Sequence, residues 1–139
     1  MTLPKLALSA LVLAMAGTLA PAGSVQAQDV SAETRLKTWD PDNDGTLDMA
    51  EVQKAASAQF DRLDGDRDGT LDMKEMAATK VDKNTFTKAD PDNDGTLTKD
   101  EYLTIVEARF KSADPDNDGT VSLAELKAKP GQALGLLLK

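Results

Sequence analysis

The sequence predicts an all-α fold, a compact helical bundle that carries four acidic loops with short single-helix connectors between them. Three observations predict it. Four twelve-residue segments repeat one pattern of oxygen-bearing side chains. The segments between them are too short to hold two helices each, and two of the three place apolar residues at helical spacing.

In chain order, the first stretch is set aside. Met1 to Lys5 carries one lysine, Leu6 to Ala20 is apolar, and Val25-Gln26-Ala27 fits a small-residue cleavage site. That order reads as a secretory signal peptide over residues 1–27, with export and cleavage after Ala27. A membrane anchor is the alternative, but this apolar run is too short for a bilayer core of about 30 Å. The expected mature domain is 28–139, with no cysteine for a lipid anchor or a disulfide.

Loss of Lys5 leaves the 112 mature residues with a net charge of −9. So acidic a surface argues against nucleic acid or an anionic membrane as partner. The absence of histidine removes the commonest general base and zinc ligand. With no serine in a recognisable nucleophile setting either, no enzymatic activity is expected. Bound cations are the candidate for holding this small, self-repelling domain together, and a monomer is the expected state.

The loops read DPDNDGTLDMAE from Asp40, DGDRDGTLDMKE from Asp64, DPDNDGTLTKDE from Asp90 and DPDNDGTVSLAE from Asp114. A hard cation takes about six to eight oxygen ligands, and this spacing supplies them from one short segment. Loop 1 offers Asp40, Asp42, Asp44, the Thr46 carbonyl, Asp48 and Glu51. Loop 2 offers Asp64, Asp66, Asp68, Thr70, Asp72 and Glu75. Loop 3 offers Asp90, Asp92, Asp94, Thr96, Thr98 and Glu101. Loop 4 offers Asp114, Asp116, Asp118, Thr120, Ser122 and Glu125.

Each position answers a physical need. Three alternating aspartates curl round the ion, a glycine at the sixth position permits a sharp turn, and the longer glutamate at the twelfth can bind with both oxygens. The eighth position is aliphatic throughout (Leu47, Leu71, Leu97, Val121), so a short extended segment can pair with a neighbouring loop and bury its side chain. This is the calcium-loop pattern of the EF-hand. A single acidic turn on a solvated face would explain one copy, not four complete ones. Loops 1 and 2 present five carboxylates and loops 3 and 4 four, so sites 1 and 2 are expected to be the more charge-demanding.

The connectors run from Val52 to Leu63, Met76 to Ala89 and Tyr102 to Ala113, lengths of 12, 14 and 12 residues. A conventional pair of such loops needs roughly two dozen residues for an exiting and an entering helix. Val52, Ala56, Phe60 and Leu63, and likewise Tyr102, Ile105 or Val106, Arg109 or Phe110, and Ala113, predict one continuous helix in each outer connector. Loops 1 and 2 then lie at opposite ends of a rod. In the middle connector a helix is expected from Met73 to Thr79, a turn over Val81 to Thr85, and a short helix capped by Asp82 through Phe86 to Ala89. The chain goes out and back, which predicts that loop 1 pairs with loop 4 and loop 2 with loop 3. Trp39, Phe60, Leu63, Phe86, Tyr102 and Phe110 are the expected core, Pro130 the start of a final helix, and Leu134, Leu136, Leu137 and Leu138 a cap on that core. Met49, Met73 and Met76 read as packing, with a target-binding groove as the alternative.

These residues carry a likeness. The short connectors, the single exported domain and proline at the second loop position (Pro41, Pro91, Pro115) resemble the lanmodulin family, periplasmic lanthanide-binding EF-hand proteins of methylotrophic bacteria. The resemblance implies selective binding of trivalent lanthanide ions, up to four, ordering on binding, and a role in lanthanide uptake or handling. It implies the same 1/4 and 2/3 pairing. Gly65 departs from the proline, and Asp114 gives loop 4 a full carboxylate where the family's last loop can be weaker. An exported calcium-binding buffer or sensor is the competing expectation. Four calcium ions would bring the mature charge from −9 to −1 and four trivalent ions to +3. Both relieve repulsion, so charge balance alone does not choose between them.

Overall fold

A computed structural model describes residues 32–139, so the expected leader and its expected cleavage position lie outside the described residues. The first helix, α1, covers residues 32–39 and buries Ala32, Leu36 and Trp39 at helical spacing. Its last turn closes with the Asp40 N–H on the Leu36 carbonyl at 2.9 Å, and Asp40 opens loop 1. Strand β1 (Thr46–Asp48) leads into α2 (Met49–Leu63).

A reciprocal cap starts α2. The Asp48 carboxylate accepts from the Glu51 N–H, and the Glu51 carboxylate accepts from the Asp48 N–H. Val52, Ala56, Gln59 and Phe60 form its buried face. The fifteen residues of α2 extend about 22 Å, which separates loop 1 from loop 2. The third connector repeats the design in α4 (Lys99–Ala113), capped by Thr98 and Glu101 and buried through Tyr102, Ile105, Val106, Phe110 and Ala113. Helices α2 and α4 meet through an edge-on contact of Phe60 and Tyr102, with ring centroids 5.7 Å apart. Lys99 adds an ion pair to Asp61 at 2.7 Å and lies over the Phe60 ring.

The middle connector turns back as expected, with one difference. After β2 (Thr70–Leu71) the chain forms a 3₁₀ turn over Glu75–Thr79, not a helix from Met73. Asp72 accepts from the N–H groups of both Lys74 and Glu75, and the Thr79 hydroxyl takes the Met76 carbonyl at 2.6 Å. These side chains satisfy backbone groups of the turn locally. Lys80, at φ 55°, reverses the chain. Helix α3 (Lys83–Ala89) then begins at Asp82, whose carboxylate accepts from the Thr85 N–H.

Strand β3 (Leu97–Thr98) pairs antiparallel with β2, and β4 (Thr120–Ser122) with β1, so loop 2 joins loop 3 and loop 1 joins loop 4. Leu47 faces Val121 and Leu71 faces Leu97, all four fully buried. The chain ends in α5 (Leu123–Lys127) and α6 (Lys129–Gly135), with Pro130 in the first turn of α6. Leu134, Leu137 and Leu138 enter the core, while Leu136 is half-buried. Among the methionines, Met76 is fully buried, Met49 packs half-buried against the core and Met73 is exposed. No helix among the described residues is long and apolar enough to cross a membrane.

Candidate metal centre

Each loop turns through two residues in the left-handed region. The sixth-position glycines hold φ between 84° and 88°. The fourth position is also left-handed, at 56° to 58° for Asn43, Asn93 and Asn117 and 61° for Arg67. Each asparagine donates its side-chain amide to the carbonyl of the proline two residues back, at 3.3 to 3.4 Å. Asparagine tolerates this conformation because its short polar side chain bonds locally, and arginine has no such bond here.

These turns aim backbone donors inward. The Gly45 N–H donates to Asp40 Oδ2 at 2.9 Å, and the equivalent bond recurs at 3.0 Å from Gly69, Gly95 and Gly119 to Asp64, Asp90 and Asp114. Thr46 donates through both its N–H and its hydroxyl to Asp44, as do Thr70, Thr96 and Thr120 to Asp68, Asp94 and Asp118. These bonds orient the aspartates at the first and fifth positions of each loop. Asp40, Asp90 and Asp114 are 4 to 5% exposed.

Four carboxylate clusters result. Asp40, Asp42 and Glu51 bring ligand oxygens within 4.8 Å of one another, as do Asp64, Asp66 and Glu75 in loop 2. In loops 3 and 4 the clusters are Asp90, Asp92 and Asp94, and Asp114, Asp116 and Asp118. Glu101 and Glu125 are not in those clusters; like Glu51 and Glu75 they accept the ninth-position N–H, and they accept the hydroxyl of Thr98 or Ser122 as well. In return the carboxylates of Asp48 and Asp72 accept from the N–H groups of Glu51 and Glu75. This capping by the ninth position is a role the metal-loop reading passed over, although D/S/T-x-x-E spells a capping box. The fourth-position asparagines were likewise missed.

The electrostatics favour a cation. Asp42 is raised above the ordinary carboxylate range, first because Asp40 lies close enough to share a proton and then through the charges of Asp44 and Asp40. Asp92 beside Asp90 and Asp116 beside Asp114 are raised in the same way. Burial raises Glu51, outweighing the Asp48 N–H that stabilises its charge, and the charges of Asp42, Asp48 and Asp40 add to it. The Asp68 N–H lowers Asp66, but burial and the charges of Asp68, Glu75 and Asp64 together raise it. Glu51 Oε1 and Asp90 Oδ1 are buried acceptors with no protein donor. A buried acceptor among like charges is costly unless a cation neutralises it, so the residues fit a hard, oxygen-seeking ion. A cavity of about 510 Å³ is lined by Trp39, Pro41 and Glu51, which puts the indole beside loop 1.

A protein-family model described as EF hand matches residues 57–78, 81–106 and 105–128, together half of the chain. Those stretches contain loops 2, 3 and 4. Loop 1 lies outside them yet has the same turns, inward bonds and carboxylate cluster. No curated protein matches the chain. Helices flanking four oxygen-rich loops that pair through short strands, together with the family match, establish that the chain belongs to the EF-hand family of metal-binding proteins.

Proposed function

We propose that this EF-hand protein is an exported, periplasmic binder of lanthanide ions. It holds up to four trivalent ions in preference to calcium, orders on binding, and acts in lanthanide uptake or handling as a monomer without catalytic activity. The observation that carries the reading is the unneutralised carboxylate set, with Asp90 Oδ1 and Glu51 Oε1 buried and undonated among raised neighbours. Coulomb attraction scales with ion charge, so such a set gains more from a trivalent than a divalent ion of similar size. The likeness of the short connectors and of Pro41, Pro91 and Pro115 to the lanmodulin family supports the choice, and the signal pattern of residues 1–27 supports export.

Circular dichroism and Trp39 fluorescence, followed against buffered free lanthanum and free calcium, test the reading. Helix is expected to form at far lower free lanthanum. Helix formation at equal or lower free calcium would overturn the lanthanide assignment and leave a calcium-binding EF-hand protein.

A further inference from the structure

The four loops act as internal controls for one another, and loop 2 differs at its second position. Gly65 supplies a backbone N–H where Pro41, Pro91 and Pro115 have none. That N–H donates to Glu75 Oε1 at 3.0 Å, while the Asp72 N–H occupies Glu75 Oε2 at 3.0 Å. Both oxygens of the twelfth-position glutamate are therefore held by backbone donors. In loop 1 the Asp48 N–H holds Glu51 Oε2, and Glu51 Oε1 has no donor among the described residues.

We propose that the Gly65 N–H competes with the bound ion for Glu75, making site 2 the last of the four to fill. The proposal rests on the metal-binding reading of these loops. A twelfth-position glutamate serves an ion through both oxygens, and a charge-assisted N–H bond withdraws charge from one of them. Glu101 and Glu125 also carry two donors, the N–H and hydroxyl of Thr98 or Ser122, but both fall on Oε2. Only loop 2 places a backbone donor on Oε1 as well, and filling site 2 must weaken that bond. Loop 2 is also the costlier to order. Glycine has more backbone freedom to lose than proline, and Arg67 sits in a left-handed position without the amide bond that Asn43, Asn93 and Asn117 make. By carboxylate count alone site 2 would rank with site 1, so the N–H is what separates them.

The residue before Gly65 already has a backbone suited to a following proline. Asp64 has ψ 80°, close to the 82° and 78° of Asp90 and Asp114, which precede prolines. A Cβ at Gly65 would meet nothing closer than Glu75 Oε1 at 3.8 Å. Gly65→Pro removes the N–H, and Gly65→Ala keeps it while stiffening the chain. The amides of Gly45, Gly69, Gly95 and Gly119 each donate to the first aspartate of their own loop and so report the four sites separately by NMR.

In a titration of the full chain with lanthanum, Gly69 is expected to respond last, at roughly tenfold more free ion than the other three. The Gly65 amide should move in step with it as its bond to Glu75 is released. Gly65→Pro should bring Gly69 back toward the others, whereas Gly65→Ala should leave it lagging. Gly69 responding with or before the others, a Gly65 amide unmoved by filling, or equal shifts from the two variants would overturn the proposal even if the proline variant folds poorly. Four glycines that ignore both lanthanum and calcium would bring down the metal-binding reading with it.

Discussion

The Tyr102 hydroxyl donates to the Leu137 carbonyl across 2.7 Å, joining the start of α4 to the last turn of the chain. Tyr102 follows Glu101, the final residue of loop 3, so this bond ties the C-terminal cap to the helix leaving that loop. Burial pushes the phenol far above its ordinary pKa, and the hydroxyl remains a neutral donor at every working pH. Tyr102→Phe keeps the edge-on contact with Phe60 but leaves a buried carbonyl without a donor. It should lower stability by about 1–3 kcal/mol, read as a fall in denaturant midpoint with an unchanged slope. No change would mean that water reaches the Leu137 carbonyl.

Gly131 carries the second prediction. A Cβ there would overlap the Glu125 carbonyl and crowd the Leu126 Cα. Backbone, not a flexible side chain, stands in the way, so α6 must lift from α5. Gly131→Ala should cost about 1–3 kcal/mol or more. Because the displaced backbone belongs to Glu125, site 4 should also lose ion affinity while site 2 holds its own. Uniform loss at all four sites would point to general unfolding instead.

The pairing of loops was legible because connector length is a sequence property. A fifteen-residue helix cannot bend loop 1 back onto loop 2, and only the middle connector contains a break. Asp82 was readable as a cap because its partner Thr85 is three residues away. The 3₁₀ turn at Glu75–Thr79 was not, since over five residues the apolar spacing does not separate a three-residue from a 3.6-residue period. Gly131 and Leu137 were opaque for another reason. Their roles depend on residues brought near only by the folded chain. The Gly65 donor was half legible: the missing proline is visible in the sequence, but the carboxylate it reaches is ten residues away.

The raised carboxyls give stability a pH dependence whose sign depends on the ion. In metal-stripped protein, Asp42, Glu51, Asp66, Asp92 and Asp116 keep protons in the folded state that the unfolded chain has already lost. The folded state binds more protons there, so stability falls as pH rises through these raised values. Asp72 and Asp82 are lowered, first by the N–H groups of Glu75 and Thr85, and Asp94 is lowered first by the Thr96 hydroxyl; the stability these three add is lost only at more acid pH. The folded fraction of stripped protein, read as residual helix, should therefore be greatest at mildly acid pH. With lanthanum present the slope should reverse, because the ion displaces protons from the same oxygens. A stripped protein that gains stability from mildly acid to neutral pH would refute this account.

Charge at the ninth position distinguishes an electrostatic preference from a geometric one. Asp48 caps α2, Asp72 accepts from the N–H groups of Lys74 and Glu75 at the start of the 3₁₀ turn, and Ser122 caps α5 in loop 4. Asp48→Ser and Asp72→Ser thus remove a charge while keeping a side-chain oxygen able to cap. If that charge acts on the ion through Coulomb attraction, the loss in binding free energy scales with ion charge. The drop in log affinity for lanthanum should then be about 1.5 times that for calcium, at the altered site only. Loop-resolved titration of the glycine amides supplies both numbers from one sample. Equal drops for the two ions would mean that the ninth position acts by shaping the loop, and the preference for a trivalent ion would have to arise from the other carboxylates.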